Sequence, residues 1–357
     1  MKVRAAIRNM TPYSPPLEGR DPSVNTLLDF NESVLPPGSD ILAAMHRFID
    51  SGRLQVYPEY QRLEQKLSAF HGIEAEQLLL TNGSDQGIDV VLRALLSAGD
   101  TLVLPKPTFA MFAQIAQTQE VLLRTPEYGR DMSYPLAAIQ HALAPPDAPA
   151  AHALVIVNPN NPTGTKVPSE TIRQLLETFP ETAILVDEAY AEFTGETVIP
   201  LIDEYPNLAV LRTFSKAYAM PSLRLGFVAA NAEFVAELQK VRGPYDVNMM
   251  AVAAAEAHLE APQAWSAYVQ EIMDHAKPQV ERFLRERQVE FFPGAANFML
   301  LRPRNLAAAV AHLKLRGILV RPQKHPVSDM FRLSVGPLDV MQKFFDAYDE
   351  FLHDGQH

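Results

Sequence analysis

The sequence predicts an α/β protein: a domain built on a mainly parallel sheet, followed by a smaller α+β domain at the C-terminus. Three observations carry this. Short apolar runs ended by turn residues alternate with segments of helical periodicity between about residues 78 and 214. From about residue 250 the texture changes to long helical stretches followed by short, closely spaced strands. The chain has 357 residues, 47% hydrophobic and 20% charged, which suits two closely coupled domains with a large core.

The elements follow in order. The first 40 residues are rich in proline and turn formers ("NMTPYSPPLEGRDPS", then "NESVLPPGSD") and read as an arm with little regular structure. "QLLLTNG" is a short apolar run closed by turn residues, hence a buried strand. In "SDQGIDVVLRALLSAGD", Ile88, Val91, Leu92, Leu95 and Leu96 recur at helical spacing, with Gly99 as the expected stop. "TLVLP", the helical "TFAMFAQIAQT" and "EVLLRT" continue the alternation. Strands are predicted at 153–157 (ALVIV), 183–188 (AILVDE) and 208–214 (LAVLRTF), and "APPDAPA" at 144–150 reads as a surface loop. "MMAVAAAEAHLEAPQAWSAYVQEIMDHAKPQVERFLRERQ" is mostly helical and long enough to bridge two domains. The strands "VEFFPG", "NFMLL", "ILVRP" and "FRLSVG" complete the smaller domain. The expected division is an arm and part of the small domain over 1–40, a large ligand-binding domain over 41–254, and a small domain over 255–357.

Composition removes several function classes. A net charge of -11 without a basic block argues against a nucleic-acid partner. The absence of cysteine excludes disulfides, zinc–thiolate sites and iron–sulfur clusters, and no metal site is expected. "MKVRAAIRNMTPYSPP" lacks the continuous apolar core of a signal peptide, and no apolar run is of membrane-spanning length. A cytoplasmic protein with no membrane partner is the expectation.

Ligands of open parallel sheets bind beyond the carboxyl ends of the strands. Four polar clusters fall there: "TNGSD" (81–85), "NPNNPTG" (158–164), "DEAY" (187–190) and "TFSK" (213–216). Each alone has a plain structural reading. "NGSD" suits a helix N-cap, "NNPTG" a turn, Asp187 a turn cap, and Lys216 the surface. Together, in a chain with neither a Walker lysine loop nor GxGxxG, they suit one ligand. Ser84, Ser215, Arg224 and the helix N-terminus at 83–85 ask for a phosphate. An aspartate asks for a basic ring atom, a tyrosine and an asparagine for a phenolic oxygen, and a lysine for a carbonyl. Pyridoxal 5'-phosphate carries all four.

At this point the sequence resembles the fold type I aminotransferases, and within them the histidinol-phosphate aminotransferase family. The resemblance runs from "MTPYSPP" to "FRLSVG" and rests on "TNGSDQGI", "PKPTFAMF", "VNPNNPTGT", "VDEAYAEF", "TFSKAYAMPSLRLGF" and "FRLSVG". It implies a large domain with a mainly parallel seven-stranded sheet and a smaller α+β C-terminal domain. It implies Lys216 as the Schiff-base lysine and proton shuttle, and Asp187 as partner of the pyridinium nitrogen. Tyr190 and Asn161 would hydrogen-bond the ring oxygen, and Phe109 would stack on the ring. Gly83, Ser84 and Asp85, with Ser215 and Arg224, would hold the phosphate. Tyr57 in "VYPEY" is similar to a tyrosine that reaches the phosphate of the neighbouring subunit, so a homodimer with composite sites is implied. Arg332 would grip the substrate's anionic group, with Tyr13, Asn31 and Arg321 lining the substrate side.

The chain departs from the family pattern at Gln86, often acidic, at Phe109, often tyrosine, and in "NESVLPPG" and "VRPQKHPVSDMFRLSVGP". These departures bear on the amino donor and acceptor and leave the cofactor residues intact. The activity implied is a histidine-biosynthesis transamination: L-histidinol phosphate and 2-oxoglutarate to imidazole acetol phosphate and L-glutamate. An aromatic-amino-acid aminotransferase and a phospho-amino-acid decarboxylase use the same scaffold and stay open. A transcription factor's ligand-sensing module would need a DNA-binding extension, which neither the arm-like start nor the acidic composition suits.

Overall fold

The computed structural model describes residues 1–354. Two sheets organise them. The strands are β1 (Thr26–Leu28), β2 (Leu78–Thr81), β3 (Thr101–Val103), β4 (Leu122–Arg124), β5 (Ala153–Val157), β6 (Ala183–Asp187), β7 (Leu208–Thr213), β8 (Gly226–Ala230), β9 (Glu290–Ala296), β10 (Phe298–Arg302), β11 (Ile318–Pro322) and β12 (Phe331–Ser334). The larger sheet has seven strands in the order β2-β8-β7-β6-β5-β3-β4, and only β8 runs antiparallel to its neighbours. The smaller has five, in the order β1-β11-β12-β10-β9.

The central strands read as unbroken apolar runs because both faces of the sheet are covered. All five residues of β5 are buried. Side chains alternate between faces, so Leu154 and Ile156 enter one hydrophobic cluster while Val155 and Val157 enter the other. The same split sends Val186 and Val210 to the first cluster and Leu185 and Leu211 to the second. The first cluster continues into the smaller sheet through Phe298, Leu301, Phe331 and Leu333.

One sequence expectation, the helix stop at Gly99, needs correction. The first 40 residues have the little regular structure expected of them: a short helix, Ala5–Arg8, and β1, which pairs in parallel with β11 at the edge of the smaller sheet. A three-residue edge strand has too short a period to be read from sequence. Gly99 does not stop the preceding helix, which spans Gly83–Leu95 and is capped by Leu96; Gly99 instead takes a left-handed φ of 89° in the turn before β3. The helices Ser39–Asp50 and Gln61–His71 and strand β8 are further elements that the sequence reading passed over.

β8 matters most for the site. Its sequence, "GFVAA", is a weak strand signal with two alanines and a leading glycine. Tertiary pairing with β7 and β2 makes it a strand. Gly226 is required there: a Cβ would lie 2.7 Å from the Arg212 carbonyl oxygen and 2.8 Å from Gly83 C and Ser84 N. This close approach brings the start of helix Gly83–Leu95 against the loop that carries Lys216 and Arg224.

The long C-terminal helical segment is two pieces. Met249–Glu260 ends before Pro262, and Gln263–Gln270 runs through a π-helical turn, Glu271–Ala276, into Lys277–Glu286. Among the described residues no helix is long and apolar enough to cross a membrane.

Candidate active site

Strands β2, β3, β5, β6 and β7 are mutually parallel, so their carboxyl ends share one edge of the sheet. All four polar clusters therefore meet there. Asp187 closes β6, paired with Val157 on one side and Leu211 on the other. It is fully buried; its Oδ1 accepts from Ala189 N–H at 3.0 Å, and no ion pair neutralises it among the described residues. Burial pushes its carboxyl up to about 7, with Asp85 and Glu188 adding to the rise and Lys216 opposing it.

Lys216 follows β7 by way of the Thr213–Ser215 turn, in which Thr213 Oγ1 lies 3.0 Å from Ser215 Oγ. Its Nζ donates to the Phe30 carbonyl at 2.9 Å and stands 5.7 Å from the Tyr190 ring centroid. Tyr190 is buried, packs edge-on against Phe298, and accepts a hydrogen bond from Asn31 Nδ2 at 3.0 Å.

The asparagines of "NPNNPTG" have separate tasks. Asn158 Oδ1 accepts from Val167 N–H at 2.8 Å, and its Nδ2 donates to the Val167 carbonyl at 3.0 Å. Asn160 bonds Pro107 O and Thr163 Oγ1, both at 2.9 Å. Both are committed to folding the loop. Asn161 is the one turned to the site, where its Oδ1 accepts from Arg332 Nη1.

At the end of β2, Gly83 begins the helix with a φ of 74°, and a Cβ there would lie 2.4 Å from Arg224 Nη2. Arg224, itself left-handed with φ 55°, donates to Pro221 O at 3.0 Å and to the Asp85 carboxylate at 3.1 Å. Gln86 accepts from Asn82 N–H at 2.6 Å and donates to Asp246. It thus secures the helix start without adding a negative charge to the cradle.

In the smaller sheet, Arg332 and Arg321 are directly opposite each other in the antiparallel β11–β12 pair. Arg332 is buried; Nη2 donates to the Asp29 carbonyl at 2.6 Å, and Nε has no partner among the described residues. Burial lowers its pKa first, and the Arg321 charge lowers it further. Arg321 stands 5.0 Å from the Phe30 ring centroid. Tyr13, in the arm, is exposed.

One sequence candidate lies apart from this cluster. Tyr57 is 74% exposed and stacks on Tyr245 with ring centroids 4.3 Å apart. Phe109 precedes the helix Ala110–Thr118 on the same sheet edge and meets Phe112 edge-on. Asn31 is wholly buried at φ 56°, and its Oδ1 accepts from Ser334 Oγ at 2.9 Å. Sequence reasoning missed Asp29 and Phe30, whose carbonyls hold Arg332 and Lys216. Carbonyl contacts leave no side-chain signature, so nothing in the residue types would have found them.

The residues fit pyridoxal 5'-phosphate. Arg224 lies against the helix start at Gly83, and the backbone of Gly83 and Ser84 packs so closely on Gly226 that a Cβ there would not fit, which leaves helix N–H groups and a guanidinium side by side, a donor set that suits a phosphate. Asp187 is a buried acid without a cation, which suits a protonated ring nitrogen. Arg332 has an unsatisfied buried N–H, which suits an anion.

The model of class I and II aminotransferases matches residues 23–347. The chain is 33% identical over 381 aligned residues to the histidinol-phosphate aminotransferase of Roseiflexus castenholzii, covering 98% of this chain and 97% of that one. It is 31% identical to histidinol-phosphate aminotransferase 1 of Bradyrhizobium diazoefficiens, covering 97% and 98%. Among solved structures, a putative histidinol-phosphate aminotransferase of Erwinia carotovora atroseptica superposes with a TM-score of 0.87 at 27% identity, covering 94% of this chain and 98% of that one. The Sinorhizobium meliloti histidinol-phosphate aminotransferase, solved in complex with pyridoxal-5'-phosphate, shares the fold with a TM-score of 0.88 at 23% identity, covering 99% and 98%. A site assembled on this sheet edge and a family match over nearly its whole length lead to one conclusion: the chain belongs to the class I and II aminotransferases.

Proposed function

We propose that this chain transfers the amino group of L-histidinol phosphate to 2-oxoglutarate, with pyridoxal 5'-phosphate as cofactor, giving imidazole acetol phosphate and L-glutamate. The observation that carries the substrate side is the pair Arg321 and Arg332. Like charges directly opposite in a sheet are destabilising, and among the described residues neither has a carboxylate partner. An anion between them removes that cost. A guanidinium pairs with phosphate or carboxylate in a two-point contact, so one pocket serves both the phosphate of the donor and a carboxylate of the acceptor. The curated relatives named above support this choice of donor.

When bound, the cofactor supplies an aldehyde that captures amines and a protonated ring that draws electron density from the substrate carbon. In this reading the N–H groups of Gly83, Ser84 and Asp85, with Ser215 and Arg224, bind its phosphate. Asp187 keeps the ring nitrogen protonated: a carboxylate buried this deeply is stabilised by a neighbouring cation. Tyr190 and Asn161 orient the ring oxygen, and Phe109 covers a ring face. Lys216 carries the cofactor between turnovers, and its Nζ then takes and returns the proton of the substrate carbon. Tyr13 and Asn31 complete the substrate side, Asn31 by fixing the Tyr190 hydroxyl.

The same reading includes a homodimer with composite sites, since the exposed Tyr57 is available to a partner's phosphate cradle. It divides the chain into a cofactor-binding unit over 41–254 and a smaller unit over 255–357, to which part of 1–40 adds. The test is a donor panel with 2-oxoglutarate as acceptor. Histidinol phosphate is expected to give a higher kcat/KM than phenylalanine or tyrosine. A faster reaction with either aromatic amino acid overturns the donor and leaves the aminotransferase family untouched.

A further inference from the structure

We infer that Arg20, an arm residue remote in sequence from every cluster above, is a positioning residue for the substrate-facing arginines, acting through the segment Asp29–Asn31. The inference rests on the proposed anion pocket. Arg20 has a side chain only 11% exposed. Its Nε and Nη2 donate to the two oxygens of the Asp29 carboxylate at 3.0 and 2.9 Å, and Nη2 also meets Glu32. Its guanidinium stands 4.4 Å from the Phe30 ring centroid. Two parallel N–H bonds fix a carboxylate in orientation as well as distance, which an ammonium cannot do.

The three residues so fixed each reach into the site. The Asp29 carbonyl accepts from Arg332, the Phe30 carbonyl accepts from Lys216, the Phe30 ring lies beside Arg321, and Asn31 bonds Tyr190. Asn31 is in the left-handed region that asparagine tolerates, φ 56°, and its N–H and side chain are tied to Ser334 and Tyr190. Charge accounting separates Arg20 from the pocket it supports. Arg20 faces two carboxylates, Asp29 and Glu32, so its charge is spent within the arm. Among the described residues Arg332 bonds only neutral oxygens, and its charge stays available. Arg20 thus orients the segment while leaving the positive field of Arg321 and Arg332 to the substrate.

The test uses the cofactor-loaded enzyme and half-reactions followed by cofactor absorbance, which separate apparent Kd from limiting rate. Arg20→Met is expected to raise the apparent Kd for histidinol phosphate about ten-fold or more, the scale of a lost charged hydrogen bond, with a smaller change in limiting rate. Arg20→Lys, which keeps the charge without the two-point contact, is expected to show a smaller rise in the same direction, and it carries the test should Arg20→Met fail to fold. In an Arg332→Lys background the effect of either substitution is expected to shrink, because residues that act through one another are not additive. Full additivity, or an unchanged Kd in both variants, overturns the inference and reduces Arg20 to a structural tie. The same cycle is run with L-glutamate. If histidinol phosphate proves not to be a donor, the glutamate half-reaction still reports whether Arg20 acts through Arg332.

Discussion

Asn31 Nδ2 stands 3.0 Å from the Tyr190 hydroxyl, joining the N-terminal arm to the end of β6. Both residues are buried, and Asn31 is tied on its other side to Ser334 of β12. The smaller sheet, the arm and the larger sheet therefore converge on one phenol. The hydroxyl proposed to orient the ring is itself held by Asn31, proposed to line the substrate side, so changes at either end are expected to be felt at both.

Under the proposed function, Lys216→Ala removes both the amine that holds the cofactor and the proton carrier. Turnover is expected to fall by several orders of magnitude while some cofactor stays bound without a covalent link. Borohydride treatment of the wild type followed by peptide mapping checks the attachment. An adduct on any other lysine ends this assignment.

Asp187 yields a prediction about pH. Burial raises its folded-state carboxyl to about 7, above the ordinary carboxylate value of 3.8. A raised acid is protonated in the folded state and ionised in the unfolded one between those two pH values. Cofactor-free protein is therefore expected to lose stability as pH rises from about 4 to 7, up to roughly 4 kcal/mol at the limit. Cofactor-free Asp187→Asn is expected to be more stable than the wild type at pH 8 and to lose that advantage near pH 4. Thermal melts across pH measure this; turnover of the loaded variant is expected to fall sharply because the ring nitrogen loses its partner.

Arg332→Lys is expected to weaken both half-reactions, since an ammonium cannot reproduce the bonds to Asn161 and Asp29 while facing an anion. Arg321→Ala is expected to harm histidinol phosphate more than phenylalanine, because a phosphate carries more charge than a carboxylate. Single-turnover rates with the two donors decide between this and an Arg321 that only packs on Phe30.

Mixing Lys216→Ala with Tyr57→Phe tests the shared site. A mixed dimer is expected to contain one site with neither lesion and one with both, so activity is expected to rise above either parent once subunits exchange. Exchange without recovery excludes a role for Tyr57 across an interface.

By itself the sequence determined the alternation of strands and helices, and with it the placement of Gly83, Asn161, Asp187 and Lys216 at strand ends. Those features are local: apolar runs, turn residues and periodicity are all within reach of a short window. The ligand chemistry was legible for the same reason, because each strand end carries its polar residues in a contiguous motif. Tertiary structure alone decided the rest. β8 is a strand because β2 and β7 flank it, despite its two alanines. β1 becomes part of the smaller sheet only by pairing with β11, nearly the full chain away. Asn158 and Asn160 serve their loop while Asn161 serves the site, a division that depends on which way each side chain turns. Arg321 and Arg332 become neighbours through strand register, and Asp29 and Phe30 enter the site through carbonyl oxygens that every residue possesses. Side-chain identity is written in the sequence, whereas register, backbone contacts and burial arise only when distant segments pack.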